Sequence, residues 1–241
     1  MTAAMTVVLI HGFGTSARLW DGVVPLLEGP ALTPDLPGFG ENVQDDRYSV
    51  DGMADAVLEG VTATRAKDFL LVGHSMGAKV AAVLASRRPL GLSGLLLVAP
   101  SPPSPEPMTP DERAALKAIH RNPRALEAHY RQISVAGLSE VAARQLIEDG
   151  CRASSAAWNA WPDAGSREHR EGEMPQIEVP TLVLTSAQDP VITPQVVNEQ
   201  IHPAFPHATY REVQGSGHLL PLELPAEVAR AIRESMSSGF S

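Results

Sequence analysis

A chain of 241 residues, 44% hydrophobic and 20% charged, is long enough to bury a sizeable core as one α/β domain or as a core plus an insertion. Its formal net charge of −9 argues against a nucleic-acid or anionic-membrane partner, because phosphate binding needs a basic face. Cys151 is the only cysteine, which excludes an intrachain disulfide and a cysteine zinc cluster.

Met1 to Met5 carry no basic leader region, and no apolar run approaches the ~20 residues of a membrane span, so a cytoplasmic location is expected. Thr6-Val7-Val8-Leu9-Ile10 is a short, β-branched apolar run ended by His11-Gly12 and reads as a buried parallel strand. Ala31-Leu32-Thr33 gives a second short strand, followed by the Pro/Gly-rich loop Pro34-Asp35-Leu36-Pro37-Gly38-Phe39-Gly40. From about Ser49 to Ala66, with Ser49 and Asp51 as caps, the apolar residues Val50, Met53, Ala54, Val57, Leu58 and Val61 recur at helical spacing.

Phe69-Leu70-Leu71-Val72 is the next buried strand; Gly73-His74-Ser75-Met76-Gly77 follows it, then a run of helix formers from Ala78 to Ala85. Gly94 to Pro100 gives another strand, and Thr181 to Ser186 and Ala208 to Val213 two more. Strands alternating with helical segments predict βαβ units and a mostly parallel central sheet flanked by helices. The middle differs. Ser101 to Pro110 is a proline-rich connector, and Asp111 to Asp163 reads as three or four short helices, with caps at Thr109, Asn122, Ser139 and Ser154 and stops at Gly137 and Gly150. Gly165 to Pro175 is a polar return linker. The expected organisation is an α/β core over 1–100 and 176–241 with a helical insertion over 101–175, the insertion setting substrate preference more than the chemistry.

Gly-x-Ser-x-Gly between a buried strand and a helix describes a nucleophile elbow: the tight turn exposes the serine hydroxyl and aims the next N–H groups at what it attacks. Ser75 then needs a base, and the base an orienting acid. Of eight histidines, His218 stands apart, in the Gly-rich loop Gly215-Ser216-Gly217-His218-Leu219 after the last strand, where open sheets place ligands. His11 and His74 read as structural or as site floor. Asp189, in the turn after the strand ending at Ser186, is the preferred acid; no carboxylate is mounted at the strand end Ala99-Pro100, and Asp149 and Asp163 belong to the insertion. The order Ser75, Asp189, His218 is the one the elbow predicts. A tetrahedral intermediate also needs two donors, for which Met76 N–H and Phe13 N–H, in His11-Gly12-Phe13-Gly14, are the candidates. Trp158, Trp161, Tyr130 and Met108 of the insertion, and Trp20, Leu219 and Phe39 beside core motifs, are candidate pocket residues, with plain packing as the alternative for each. Gly-x-Gly-x-x-Gly, Walker A and His-Glu-x-x-His patterns are absent, so no cofactor and no metal is expected.

These motifs together, from His11-Gly12-Phe13-Gly14 and Asp35-Leu36-Pro37-Gly38-Phe39-Gly40 through the elbow and acid loop to Gly217-His218, resemble the α/β-hydrolase superfamily over about residues 5–100 and 176–236. The insertion lies at the position of that family's variable helical cap. The resemblance implies Ser75 as nucleophile, His218 as general base, Asp189 as its orienter, and Phe13 and Met76 as oxyanion donors, acting on a small or medium carboxylic ester through an acyl-enzyme. Carbon–carbon (β-diketone-type), lactone or thioester hydrolysis and perhydrolase activity use the same triad, and a non-catalytic ligand-binding member is the reading from another class. A serine at the elbow, where haloalkane dehalogenases and epoxide hydrolases carry aspartate, argues against those reactions. Two departures stand out. The chain starts at its first parallel strand, so the antiparallel opening strands of larger members are expected to be missing, and Glu41-Asn42 follows Gly40 where relatives often carry serine.

Overall fold

A computed structural model describes residues 5–237. Its centre is a six-stranded sheet of β1 (Thr6–Ile10), β2 (Ala31–Leu32), β3 (Phe69–His74), β4 (Leu92–Val98), β5 (Thr181–Ser186) and β6 (Thr209–Val213), in the order β2-β1-β3-β4-β5-β6. Every pairing is parallel. Both faces of the central strands are covered, which is why they read as continuous apolar runs rather than alternating ones. Val8, Ile10, Leu71, Leu95, Leu97 and Val183 point to one core. Val7, Leu9, Leu70, Val72, Leu96, Val98, Leu182 and Leu184 point to the other.

Helix α1 (Val50–Thr64) starts at Ser49, whose side chain caps it by accepting from Gly52 N–H, and buries Val50, Met53, Ala54, Val57 and Val61. Helix α2 (Met76–Ser86) is buried along its whole length, so its small residues let it lie close on the sheet. Chain order and sheet order diverge at β1: β2 lies on one side of it and β3, with all later strands, on the other. The carboxyl ends of β1 and β3 therefore border the topological switch point, where open α/β sheets form their binding crevice.

Four helices stand between β4 and β5: α3 (Pro110–Ala118), α4 (Pro123–Gln132), α5 (Glu140–Arg152) and α6 (Ser155–Asp163). Each begins at its expected cap, with the side chains of Thr109, Asn122, Ser139 and Ser154 accepting from the first turn. Gly150 is not a stop. It lies inside α5, where a Cβ would sit 3.0–3.1 Å from the Leu126 side chain and the Tyr130 hydroxyl, so it sets the close approach of α4. Gly137 lies in the loop between α4 and α5 with φ of 84°, and α4 has already ended at Gln132. After β5 come α7 (Pro194–Val196), α8 (Leu220–Glu223) and α9 (Pro225–Ser237). Among the described residues no helix is long and apolar enough to cross a membrane.

The inserted helices are tied to the core by polar contacts. Asp149 of α5 accepts from the Ser16 hydroxyl at 2.8 Å and from Arg18 Nε at 3.1 Å. Ser154 N–H donates to the Gly38 carbonyl at 2.8 Å. Glu41, the departure in the loop after β2, pairs with Arg152 at the end of α5.

Candidate active site

The turn from β3 into α2 is built by close packing. A Cβ on Gly73 would lie 2.4 Å from the Gly77 carbonyl oxygen, and one on Gly77 would lie 2.3 Å from that of His11. No side chain fits at either place. Between them Ser75 is held at φ 52° and ψ −119°, outside the regions an L-residue favours, where strain costs ~1–3 kcal/mol and persists only because the surroundings dictate it. The serine hydroxyl is thereby presented at the carboxyl edge of the sheet.

The loop after β6 brings His218 to it. His218 Nε2 lies 2.8 Å from Ser75 Oγ, and His218 Nδ1 lies 2.8 Å from Asp189 Oδ2. A carboxylate only accepts, so Nδ1 carries the proton and donates to Asp189, leaving the Nε2 lone pair to accept from the Ser75 hydroxyl. Asp189 Oδ1 in turn accepts from Val191 N–H at 2.7 Å and Ile192 N–H at 2.9 Å, which fixes the carboxylate on the turn before α7. Burial opposes a charge on His218, but the attraction and hydrogen bond of Asp189, joined by the charges of Glu106 and Glu223, outweigh it and raise the imidazole above its ordinary value.

The backbone of His218 is clamped as well. Its N–H donates to the Ile133 carbonyl at 2.7 Å, and its carbonyl accepts from His74 Nε2 at 2.8 Å. Burial, and then the neighbouring His218, push His74 down to about 3, so it stays neutral and serves as a fixed donor. Glu223 of α8 accepts from Gly217 N–H at 3.0 Å and Leu219 N–H at 3.2 Å, gripping the loop on both sides of His218.

Opposite the elbow, the loop after β1 is held by His11. Its Nδ1 donates to the Gly12 carbonyl at 2.9 Å and its Nε2 accepts from Leu36 N–H at 3.0 Å, and burial keeps the ring neutral. The Tyr130 hydroxyl of α4 donates to the Gly14 carbonyl at 2.7 Å. Phe13 lies between these two anchors. Met76 is the first residue of α2, so its N–H has no partner within the helix.

A cavity of about 870 Å³ opens above Ser75 and His218. Its walls include Phe13, Met108, Tyr130, Trp158, Trp161 and Leu219, together with Glu106, His129 and Ile192. Trp158, Trp161 and Leu219 are thus brought to the site. Trp20 is not. The 3₁₀ turn Ala17–Trp20 carries it away from the cavity, and it is fully buried in the core on the other face of the sheet with Leu19 and Val23. Phe39 is also core, edge-on to His11 and Phe13. A second concavity of about 980 Å³, lined by residues such as His169, Met174, Phe205 and His207, holds none of Ser75, Asp189 and His218.

Sequence reasoning passed over Glu106, His129 and Glu223. Glu106 lies on the proline-rich connector beyond β4, and only the path of that connector shows that it faces the cavity. His129 sits in α4 one residue from Tyr130, and burial, then the nearby His218, lower it to about 4. No group of three or more His, Cys, Asp or Glu side chains that could hold a metal is found among the described residues.

A model of the alpha/beta hydrolase family matches residues 7–231. The chain is 38% identical over 97 residues to a pimeloyl-[acyl-carrier protein] methyl ester esterase of Edwardsiella ictaluri, a match covering 39% of this chain and 36% of that protein. It is 29% identical over 167 residues to a 2-succinyl-6-hydroxy-2,4-cyclohexadiene-1-carboxylate synthase of an Enterobacter species, covering 66% and 65%. The matched stretches therefore span less than two thirds of these relatives' lengths. Among solved structures, an esterase from Exiguobacterium antarcticum superimposes with a TM-score of 0.88 at 21% identity, covering 99% of this chain and 94% of that one, a likeness of fold.

Proposed function

The chain belongs to the alpha/beta hydrolase family, and from that premise we propose that it is a serine hydrolase that cleaves a small or medium carboxylic ester through an acyl-enzyme. One observation carries the reading: Ser75, His218 and Asp189 form a continuous hydrogen-bonded relay, 2.8 Å at each step, whose serine end opens into the cavity.

In the first half-reaction Ser75 Oγ attacks the ester carbonyl carbon as His218 Nε2 takes its proton. Asp189 holds the ring with Nδ1 protonated and stabilises the imidazolium that forms. The carbonyl oxygen becomes an oxyanion between the N–H groups of Phe13 and Met76, which replace water as donors without reorganising; losing one such donor typically costs ~3 kcal/mol. His218 then gives its proton to the departing alkoxide, and the C–O bond breaks. Water enters, loses a proton to Nε2 and attacks the acyl carbon. The acid leaves, and the proton returns to Ser75 Oγ. The inserted helices supply much of the cavity wall and act as the cap that chooses the acyl and alcohol groups.

Labelling with a fluorophosphonate and turnover of a p-nitrophenyl acyl ester test the mechanism together. Both are expected in the wild type and absent from Ser75→Ala. Wild-type turnover by that variant would rule the mechanism out. A panel of esters, thioesters, lactones and β-diketones separates the bond classes.

A further inference from the structure

The cavity over Ser75 has an uneven charge lining. Among the described residues that line it there is no lysine or arginine, whereas Glu106 faces it together with Ser75 and His218. Glu112 and Glu199 also border it, but each is already engaged: Glu112 in a capping box with Thr109, and Glu199 as acceptor from Gln195 Nε2 at 3.0 Å. Glu106 is different. Its backbone is fixed, N–H donating to the Ser166 carbonyl at 2.8 Å and the carbonyl accepting from Arg113 Nη2 at 3.1 Å; the Ser101 hydroxyl stands beside its carboxylate, and no ion pair among the described residues engages it. Of the buried cations nearby, Arg113 spends its guanidinium on the Glu106 and Pro162 carbonyls and the Ser166 hydroxyl, and Lys79 its ammonium group on the Ser104 and Glu168 carbonyls at 3.4 and 3.0 Å; neither lines the cavity. The remaining walls include the rings of Phe13, Tyr130, Trp158 and Trp161.

A half-buried carboxylate with no cation paired to it, in a cavity walled in part by aromatic rings, is the chemistry that receives an organic cation. The carboxylate supplies a charge that water screens poorly at that depth, and ring faces attract cations through their quadrupoles. The same lining penalises a substrate carboxylate or phosphate, which would meet like charge with no guanidinium or ammonium to offset it.

Resting on the serine-hydrolase reading above, we propose that this pocket selects esters carrying a protonated amine or quaternary ammonium group, with Glu106 as the counter-charge that confers the preference. Glu106 faces the bound part of the substrate rather than the breaking bond, so its contribution to the preference among esters falls mainly on KM, while its effect on His218 is common to every ester. Burial, countered in part by Ser101, Lys79, His218 and Arg113, raises the Glu106 carboxyl above its ordinary value. The preference for cations is accordingly expected to weaken as pH falls.

The test compares three butyrate esters matched in shape: the choline ester, its neutral analogue with a tert-butyl group in place of trimethylammonium, and an analogue with a carboxylate there. In the wild type kcat/KM is expected to be ~10-fold higher for the choline ester than for the neutral one and ~100-fold higher than for the anionic one. In Glu106→Gln the spread should shrink to within about threefold, chiefly through KM, while Glu106→Asp, which keeps the charge, should retain most of it. Equal kcat/KM across the three esters in the wild type, or an undiminished spread in Glu106→Gln, overturns the proposal. Should none of the esters be turned over, their protection of Ser75 against a neutral fluorophosphonate is read in the same order: strongest protection by the choline ester supports the assignment, and equal protection overturns it. Failure of Ser75 to label at all defeats the serine-hydrolase reading, and the charge preference falls with it.

Discussion

The main-chain N–H of His218 donates to the carbonyl of Ile133 at 2.7 Å, so the candidate base hangs from the end of α4 in the inserted helices. The approach is close enough that a Cβ on Gly217 would lie 2.4 Å from the same Ile133 oxygen. Tyr130, one turn earlier, holds the Gly14 carbonyl on the opposite side of the site. The insertion thus grips both the loop that carries the base and the loop that carries Phe13. It therefore helps to position Ser75's candidate partners as well as walling the cavity. Removing residues 101–175 is expected to abolish turnover of every ester rather than to shift preference among acyl lengths.

Glu223 makes that coupling testable with one atom. Its carboxylate accepts from Gly217 and Leu219 N–H and also from Val135 and Ala136 N–H at 2.8 Å each, so one side chain joins the His218 loop to the α4–α5 loop. Glu223→Gln removes the charge and puts an NH₂ group among N–H donors. Displacing a base by a fraction of an ångström is costly, and kcat is expected to fall ~10- to 100-fold. Glu223 is also one of the charges that raise His218, so the acid limb of the pH–rate profile should move to lower pH in the variant. An unchanged kcat with an unmoved limb would show that the carboxylate merely caps the loop.

The pH dependence of the wild type follows from His218 itself. In the proposed mechanism activity requires the neutral ring, and the folded value lies above the ordinary 6.5. Activity is therefore complete well above that raised value and is lost as pH falls through it, so the midpoint of kcat/KM for a neutral ester should lie above 6.5. Asp189→Asn removes the largest source of the increase and the group that fixes the tautomer, and by analogy with other triads it should lower kcat ~10⁴-fold. A midpoint at or below the ordinary value would mean that burial, not Asp189, governs the ring.

The elbow trades stability for exposure of the candidate nucleophile. Ser75 sits at φ 52°, which glycine adopts freely and residues with a Cβ do not. Ser75→Gly is expected to be inactive yet ~1 kcal/mol more stable than the wild type, after allowing for glycine's larger unfolded-state entropy. Ser75→Ala retains the Cβ and should be inactive without that gain. Gly77→Ala must push against the His11 carbonyl and should be destabilised by several times as much. Urea titrations of the three variants give the ranking, and equal midpoints for the Gly and Ala variants of Ser75 would remove strain from the account.

The legible features were those decided by near neighbours in the chain. The apolar runs of β1, β3, β4 and β5 declare buried strands, and Thr109, Asn122, Ser139 and Ser154 declare helix starts because a cap is satisfied within three residues. The elbow is legible only partly for the same reason: Gly73 answers to a contact within the turn, whereas Gly77 answers to Ile10 and His11, distant in the chain, and is read from the motif rather than from its neighbours. Trp20 was not legible, because an aromatic beside a motif reads alike whether its 3₁₀ turn faces the cavity or the core beneath the sheet. Gly150 misleads in a related way, since close packing against α4 asks for the same residue that a helix end does. Glu106 and Glu223 depend on where a connector and a short helix lie in space, and no local pattern records that.

Lys79 provides a last test, of how the connectors are held. It is 1% exposed, on the helix that follows Ser75, and its ammonium group reaches the Ser104 carbonyl where the chain leaves the core and the Glu168 carbonyl where it returns. Burial lowers Lys79 from 10.5 to about 8, with nearby Glu106 and Glu168 resisting the shift. Between those two values the unfolded chain binds more protons than the folded one at this position, so the contribution of Lys79 to stability rises with pH through that window and is least favourable below it. Lys79→Met has no such titration. The difference in unfolding free energy between wild type and variant should therefore move in favour of the wild type from pH 8 to pH 10, by on the order of 2 kcal/mol. Measuring both proteins at each pH cancels the alkaline titration of every other group. Parallel curves would mean that Lys79 keeps an ordinary affinity for its proton and that its two carbonyl contacts fully replace the water it gives up.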